Sequence, residues 1–196
     1  MKESRLFLFV EGNDDERFFS RIVNPLFEDR YASIEIISYA SMKSEKVCRF
    51  VRSIIDMGHD FILFADIDEE QTVKVKKSLL KERFCTLTDD RIVIIIKEIE
   101  SWYLAGLDEP TQKLLGIRYY HTTNHITKEI FNRMIPRNYS SRIAFMAEIL
   151  GHYSVIEAQS RNRSFSYFLT HYRLDGPRHG ENIGEDRGKD VHNRSC

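Results

Sequence analysis

The sequence predicts an α/β fold, with a mostly parallel four-stranded sheet followed by a helical C-terminal extension. Three observations lead there. Four apolar runs of strand length, "RLFLFVE", "SIEIISY", "FILFAD" and "RIVIIIK", lie between residues 5 and 97. Segments with apolar residues at helical spacing separate them, and such alternation builds a parallel sheet with right-handed crossovers. Beyond Gly106 the strand signal fades and helical spacing persists.

Each element has its own reason. "RLFLFVE", "FILFAD" and "RIVIIIK" are near-continuous apolar runs, the pattern of strands buried on both faces, whereas "SIEIISY" is mixed and suits a less enclosed position. After the first strand, Asn13 with Glu16 three residues on predicts a capped helix start, and Phe18, Phe19, Ile22, Val23, Leu26 and Phe27 continue it. Val47, Phe50, Val51, Ile54 and Ile55 predict a second helix ending near Gly58, and "EEQTVKVKKSLLKERF" a third. In the extension, the Pro-led "PTQKLLG" and the segments "HITKEIFNRMI", "SRIAFMAEILGHY" and "RSFSYFLTHYRL" read as helices, the last with Phe165, Phe168, Leu169 and Tyr172 on one stripe. The expected organisation is a core over residues 1–107, a helical extension packed on it over 108–175, and a disordered tail over 176–196, where apolar anchors are almost absent.

Composition bounds the function. A chain of 196 residues with 42% hydrophobic content can bury a sizeable core. Its apolar runs fall far short of the roughly 20 residues that cross a bilayer, and the first residues lack a signal-peptide cleavage region, so a cytoplasmic protein without a membrane partner is expected. Cys48, Cys85 and Cys196 are odd in number and scattered, which fits a reducing compartment and gives neither a disulfide framework nor a zinc knuckle. The net charge of −1 conceals a polarity along the chain: residues 1–116 carry 17 Lys/Arg against 22 Asp/Glu, and residues 117–178 carry nine against four. An acidic half beside a basic half fits a metal-binding core next to a surface for polyanions, and ordinary solvated faces also produce such a difference.

The acids gather where chemistry is expected. In a parallel α/β sheet ligands bind at the carboxyl ends of the strands. Glu11 ends the first strand, Asp66 and Asp68 end the third, and Glu98 and Glu100 follow the fourth. Carboxylates converging on one edge repel unless a cation sits among them, and the hard cations suited to oxygen ligands are Mg²⁺ and Mn²⁺. Each acid also has a structural reading. Asp66 and Asp68 can cap the next helix, Glu98 and Glu100 can favour a helix N-terminus, and Asp14, Asp15 and Glu16 lie in a first turn. His121 and His125 form H-x-x-x-H without the glutamate of a zinc-protease helix, which favours a loop or helix face. No phosphate-binding glycine loop or dinucleotide fingerprint is present. Trp102 and Tyr103 read as packing residues, and Lys97 with Asp14, Asp15 and Asp66 is a distant match to a phospho-acceptor receiver site.

"FVEGNDDERFF" followed by "FADIDEE" resembles the TOPRIM domain of topoisomerases, primases and OLD-type nucleases; Glu11, Gly12, Asp15, Asp66 and Asp68 match its pattern. "IIIKEIESWYLAG" and "NRSFSYFL" further resemble small stand-alone bacterial TOPRIM-like proteins. The resemblance implies a Rossmann-like core, a Mg²⁺- or Mn²⁺-dependent nuclease acting on DNA or RNA, a setting in bacterial defence or a mobile element, and a protein partner encoded nearby. The primase zinc module and the topoisomerase tyrosine domain are missing from this sequence. On that reading Glu11, Asp66 and Asp68 are the catalytic residues and metal ligands, with the ion held by Asp66 and Asp68 and Glu11 acting as general acid or base or completing the coordination. The chemistry of the edge, not the resemblance, offers Glu98 or Glu100 to a second ion. Lys97, Arg133, Arg137, Arg161 and Arg163 then become substrate contacts, beside Arg118 and Arg142. A non-catalytic metal-binding or assembly subunit, and phosphotransfer through Asp66, are the alternatives.

Overall fold

The computed structural model describes residues 3–84 and 86–175. The tail expected over residues 176–196, and Cys85, lie outside them. Strands β1 (Arg5–Val10), β2 (Ser33–Ser38), β3 (Asp60–Asp66) and β4 (Ile92–Ile95) form one all-parallel sheet in the order β2-β1-β3-β4. The four apolar runs are thus the four strands, and β2 is the half-exposed edge that its mixed pattern implies. The chain steps from β1 to one side for β2 and to the other for β3, which opens a crevice at the carboxyl ends of β1 and β3.

Both faces of the sheet are covered, as the continuous apolar runs require. Leu6, Leu8, Val10, Ile62 and Phe64 point to the layer containing α1 (Asn13–Phe18), α5 (Glu100–Ala105), α8 (Arg142–Gly151) and α10 (Arg163–His171). Phe7, Phe9, Phe61 and Leu63 point to α3 (Ser44–Asp56) and α4 (Val73–Arg83) on the other side. The first helix is capped one residue earlier than predicted: Gly12 is the N-cap, and its N–H donates to Asp15 Oδ2 at 3.2 Å. It continues through a π-helical turn, Phe19–Val23, into α2 (Asn24–Phe27), where Pro25 offers no N–H to the preceding turn.

Helix α4 is turned against its sequence pattern. Lys76 and Lys77 are buried, while Val75 and Leu79 are 44% and 43% exposed. The lysines have partners inside: Lys76 pairs with Asp68, and Lys77 Nζ donates to the Asp89 carbonyl at 2.6 Å. Their aliphatic stems pack while the amines reach oxygen.

The helical extension comprises α6 (Glu109–Leu114), α7 (Lys128–Met134), α8, α9 (Val155–Arg161) and α10. α7 starts at Lys128 behind the Thr127 cap, so His125 lies in a loop and the expected start is too early. α9 is an additional helix; Ser154 caps it by accepting from Glu157 N–H, an S-x-x-E signal readable in the sequence.

A buried hydrogen-bond hub ties the extension to β4. Ser164 Oγ accepts from Trp102 Nε1 at 2.8 Å and from Ile96 N–H at 3.2 Å, and donates to Asn162 Oδ1 at 2.8 Å. Asn162 Oδ1 also accepts from Phe165 N–H, and its amide donates to Thr123 Oγ1 at 3.0 Å and Ser101 Oγ at 3.3 Å. The hydroxyl uses one donor and both lone pairs. Ser164→Ala strands the buried Trp102 N–H and the partly buried Ile96 N–H, so urea denaturation is expected to show a loss of about 2–4 kcal/mol; a loss below about 0.5 kcal/mol would show that the hub contributes little.

Candidate metal and phosphate site

The sheet sets the level of the acids. Phe9 pairs with Leu63 and Asp66 with Ile95, so the β1–β3 register, continued, puts Glu11 beside Ala65, one residue from Asp66. Glu11, Asp66, Asp68, Glu98 and Glu100 all line one pocket of about 510 Å³ at this edge. Asp14 and Asp15 line it too, with Arg17, Lys128 and Arg142 as the cations.

Two backbone positions aim the pocket walls. Asp68 (φ 53) and Lys97 (φ 65) are non-glycine residues in the left-handed region, each two residues beyond the end of its strand. They turn the chain sharply where β3 and β4 stop. Asp68 does not cap α4, whose N-cap is Thr72.

Burial and mutual repulsion dominate the electrostatics. Asp66 Oδ1 is buried with no hydrogen-bond partner, and burial first, then Asp15, Glu11 and the two glutamates, push its carboxyl up to about 10. Asp15, only 6% exposed, is pushed up to about 7 by burial and by Glu11. Burial also raises Glu11, against the Lys76 charge, the Tyr39 hydroxyl 3.2 Å from Oε1 and the Asp66 N–H. Glu100, 3% exposed, is raised by burial although Arg142 pairs with it. Arg142 bridges to Asp14 as well and donates from Nε to Asn132 Oδ1 at 2.8 Å. Asp14 is held low: Arg142 and Arg17 outweigh its burial.

The donor set is all oxygen and includes an unpartnered buried carboxylate oxygen, so the residues fit a hard cation. Among the described residues, however, no three His, Cys, Asp or Glu side chains form a ready-made cage. Several acids already have partners: Asp68 has Lys76, Glu100 has Arg142, and Glu98 Oε2 accepts from Lys128 N–H at 2.5 Å, at the start of α7. Asp66 follows the parity of Ile62 and Phe64, while Glu11 turns to Tyr39 on the opposite face.

Sequence reasoning places the other candidates unevenly. Lys97 is exposed and is not among the residues that line the pocket with Asp66. Arg133 and Arg137 are exposed and line no cavity described for this chain, while Arg163 lines a different cavity. Arg161, the last residue of α9, is 5% exposed, and its guanidinium donates to the Leu107 and Tyr120 carbonyls, which commits it to holding the fold. His121 and His125 sit in a loop, each against a tyrosine ring. Arg17 and Lys128 are pocket residues to which the sequence reading gave no role, and Asp15 and Arg142 were named without a place in this pocket. Asp15 was visible in the E-G-x-x-D spacing but also explained as a cap, and Arg142 reaches the pocket only because α8 packs across α5.

Fold and site together define a Rossmann-like α/β protein with an acidic pocket at the topological switch of its sheet. No protein-family model matches the chain, and no curated protein matches it in sequence. Among solved structures it is similar to the C-terminal region of the Burkholderia pseudomallei OLD protein, with 16% identity and a TM-score of 0.49 over 87% of this chain and 97% of that one. Among the described residues no helix is long and apolar enough to cross a membrane.

Raised carboxyls make the metal-free protein lose stability with rising pH. Unfolded, Asp15 and Asp66 ionise near 3.8; folded, near about 7 and about 10. Between those values the folded state binds more protons, so their contribution is full below the unfolded value and is lost as pH rises towards the folded one. In EDTA, Asp66→Asn is expected to be more stable than wild type by at least about 1 kcal/mol at neutral pH. It should also lose less stability between about pH 5 and pH 9. Urea titrations across that range check this; equal stabilities and slopes would show that Asp66 is not under electrostatic pressure.

Proposed function

We propose that the protein is a Mg²⁺- or Mn²⁺-dependent TOPRIM-type phosphodiesterase acting on nucleic acid, a nuclease in type. The observation that carries this reading is the unpartnered Asp66 Oδ1, buried among acids at the switch point. Asp66, Glu11 and Asp15 would hold the ion, with Asp68, Glu98 and Glu100 as further donors. When bound, the ion supplies charge neutralisation and a water acidic enough to attack phosphorus. The chain's residues do the rest. Arg142, anchored on Asp14 and Glu100, presents a guanidinium to a phosphate at the pocket mouth. Glu11, raised by burial and touched by the Tyr39 hydroxyl, is placed to act as general acid or base. The domain division at residue 107 and a protein partner in a defence or mobile-element setting belong to the same proposal.

One observation favours a second reading, a non-catalytic metal-binding or assembly subunit: the absence of a ready-made cage among the described residues, with Asp68 and Glu100 already neutralised. Calorimetry with Mn²⁺, paired with cleavage assays on single- and double-stranded DNA and RNA, separates the two. Wild type is expected to bind and cleave. Asp66→Asn should lose at least about tenfold in affinity, a direct charge having gone from an oxygen site. In melts at a Mn²⁺ concentration about a hundredfold above the wild-type Kd, the same variant should lose about half or more of a stabilisation of about 2.7 kcal/mol. Binding without turnover favours the second reading, and unchanged affinity in Asp66→Asn and Glu11→Gln would remove the metal site from both.

A further inference from the structure

A second cavity, about 630 Å³, opens between the 122–125 loop and the junction of α9 with α10, and it is larger than the acidic pocket. Its chemistry is opposite. Nine residues line it and none is acidic or aliphatic. Arg161 and Asn162 are committed to the fold, but Arg163 and His125 are exposed on the wall, and neither has an ion-pair partner among the described residues. An adjoining cleft of about 360 Å³ shares Asn124 and Arg163 with this cavity and is walled by Ile96 and Tyr167. Tyr167 is 47% exposed, with the Lys77 ammonium 5.9 Å from its ring centroid and the His171 ring stacked on it at 5.2 Å, so a base enters at the exposed part of the ring or in place of His171.

The cleft and the acidic pocket are lined by residues close together in the chain. Ile96 lines the cleft and Glu98 lines the pocket, so their backbones are at most about 7 Å apart, a span comparable to one nucleotide of an extended strand. Between them stands Lys97, exposed, without an ion pair among the described residues, and held at φ 65. Cations without carboxylate partners, alternating with an aromatic face in a cleft, are the elements of a single-strand binding track: the cations follow the backbone and the ring receives an unstacked base. A free phosphate would use the cations and leave the tyrosine cleft without a role, and a stacked duplex has no base free to enter it.

We propose that this groove holds the single-stranded part of a nucleic-acid substrate leading away from the acidic pocket, with Arg163 and His125 on phosphates, Tyr167 under a base and Lys97 at the step between. The occupant rests on the nuclease reading, and the groove's chemistry is independent of it.

Fluorescence anisotropy with short single-stranded DNA and RNA, the matching duplexes, and inorganic phosphate as competitor tests this in EDTA, where neither metal nor cleavage contributes. Wild type should bind single strands, more weakly as salt rises. Arg163→Glu should weaken binding at least about tenfold and reduce the salt slope by about one. Glutamate in the first turn of α10 is favoured by the helix dipole, so the fold should survive, which melts verify. Tyr167→Ala should cost about fivefold or more and leave the salt slope unchanged. Lys97→Gly should weaken binding while raising the melting temperature, because glycine accepts φ 65 without strain; a purely structural lysine would not move both in those directions. The groove is overturned if no oligonucleotide binds, if Arg163→Glu and Tyr167→Ala bind like wild type, if duplex binds as well as single strand, or if phosphate at similar concentration displaces the strand. Groove-dependent binding without cleavage under any metal would refute the nuclease reading alone, and cleavage with unaffected Arg163→Glu binding would refute the groove alone.

Discussion

A single serine hydroxyl fixes the geometry on which both cavities depend. Ser164 Oγ holds the N–H of Ile96 at the end of β4, the indole of Trp102 on α5 and the Asn162 side chain that caps α10. All three of its hydrogen-bonding positions are filled inside a low-dielectric core, where an unfilled one would be costly. Because the edge strand, the helix bearing Glu100 and the helix bearing Arg163 meet at this atom, the acidic pocket and the basic groove keep a fixed separation. Trp102 adds to the clamp by packing against Phe165 and Phe168 of α10 at 4.9 and 5.6 Å between centroids.

The same hub explains two sequence segments that stood out for resemblance alone. "IIIKEIESWYLAG" contributes Ile96, Ser101 and Trp102, and "NRSFSYFL" contributes Asn162 and Ser164. The segments are about 60 residues apart in sequence, with contact separations of 61 to 68 residues, and they read as a pair because they are bonded to each other. Their hydrogen bonds to each other are architectural, and the same segments carry Glu98 and Glu100 to the acidic pocket and Arg163 and Tyr167 to the neighbouring cavities.

Much of this was legible in the sequence because the sheet is buried on both faces, and a doubly buried strand must be written as an uninterrupted apolar run. Once the strands are known, the acids at their ends are placed on one edge by topology, so Glu11, Asp66, Asp68, Glu98 and Glu100 share a pocket. What was not legible depends on packing between elements distant in sequence. Nothing local tells that Arg142 crosses to Asp14 and Glu100, or that Arg161, equally basic, is consumed by carbonyls. The start of α7 was misplaced because Ile126, fully buried in the preceding loop, mimics a helical period. α9 is short and its apolar spacing weak, yet Ser154 and Glu157 mark its start.

The inverted helix α4 has a consequence for surface chemistry. Its four lysines divide by turn of the helix rather than by residue type, with Lys76 and Lys77 inside and Lys74 and Lys81 outside. The outer face presents valine and leucine between charges, a surface whose stickiness is that of isolated apolar residues and not of a continuous patch. An amine-directed reagent therefore sees two kinds of lysine on one helix. The exposed pair would be acylated as ordinary surface amines. Lys76, paired with Asp68, and Lys77, held on the Asp89 carbonyl, would react more slowly than the exposed pair in the folded protein, so the order in which this short stretch is labelled records whether the helix is in place.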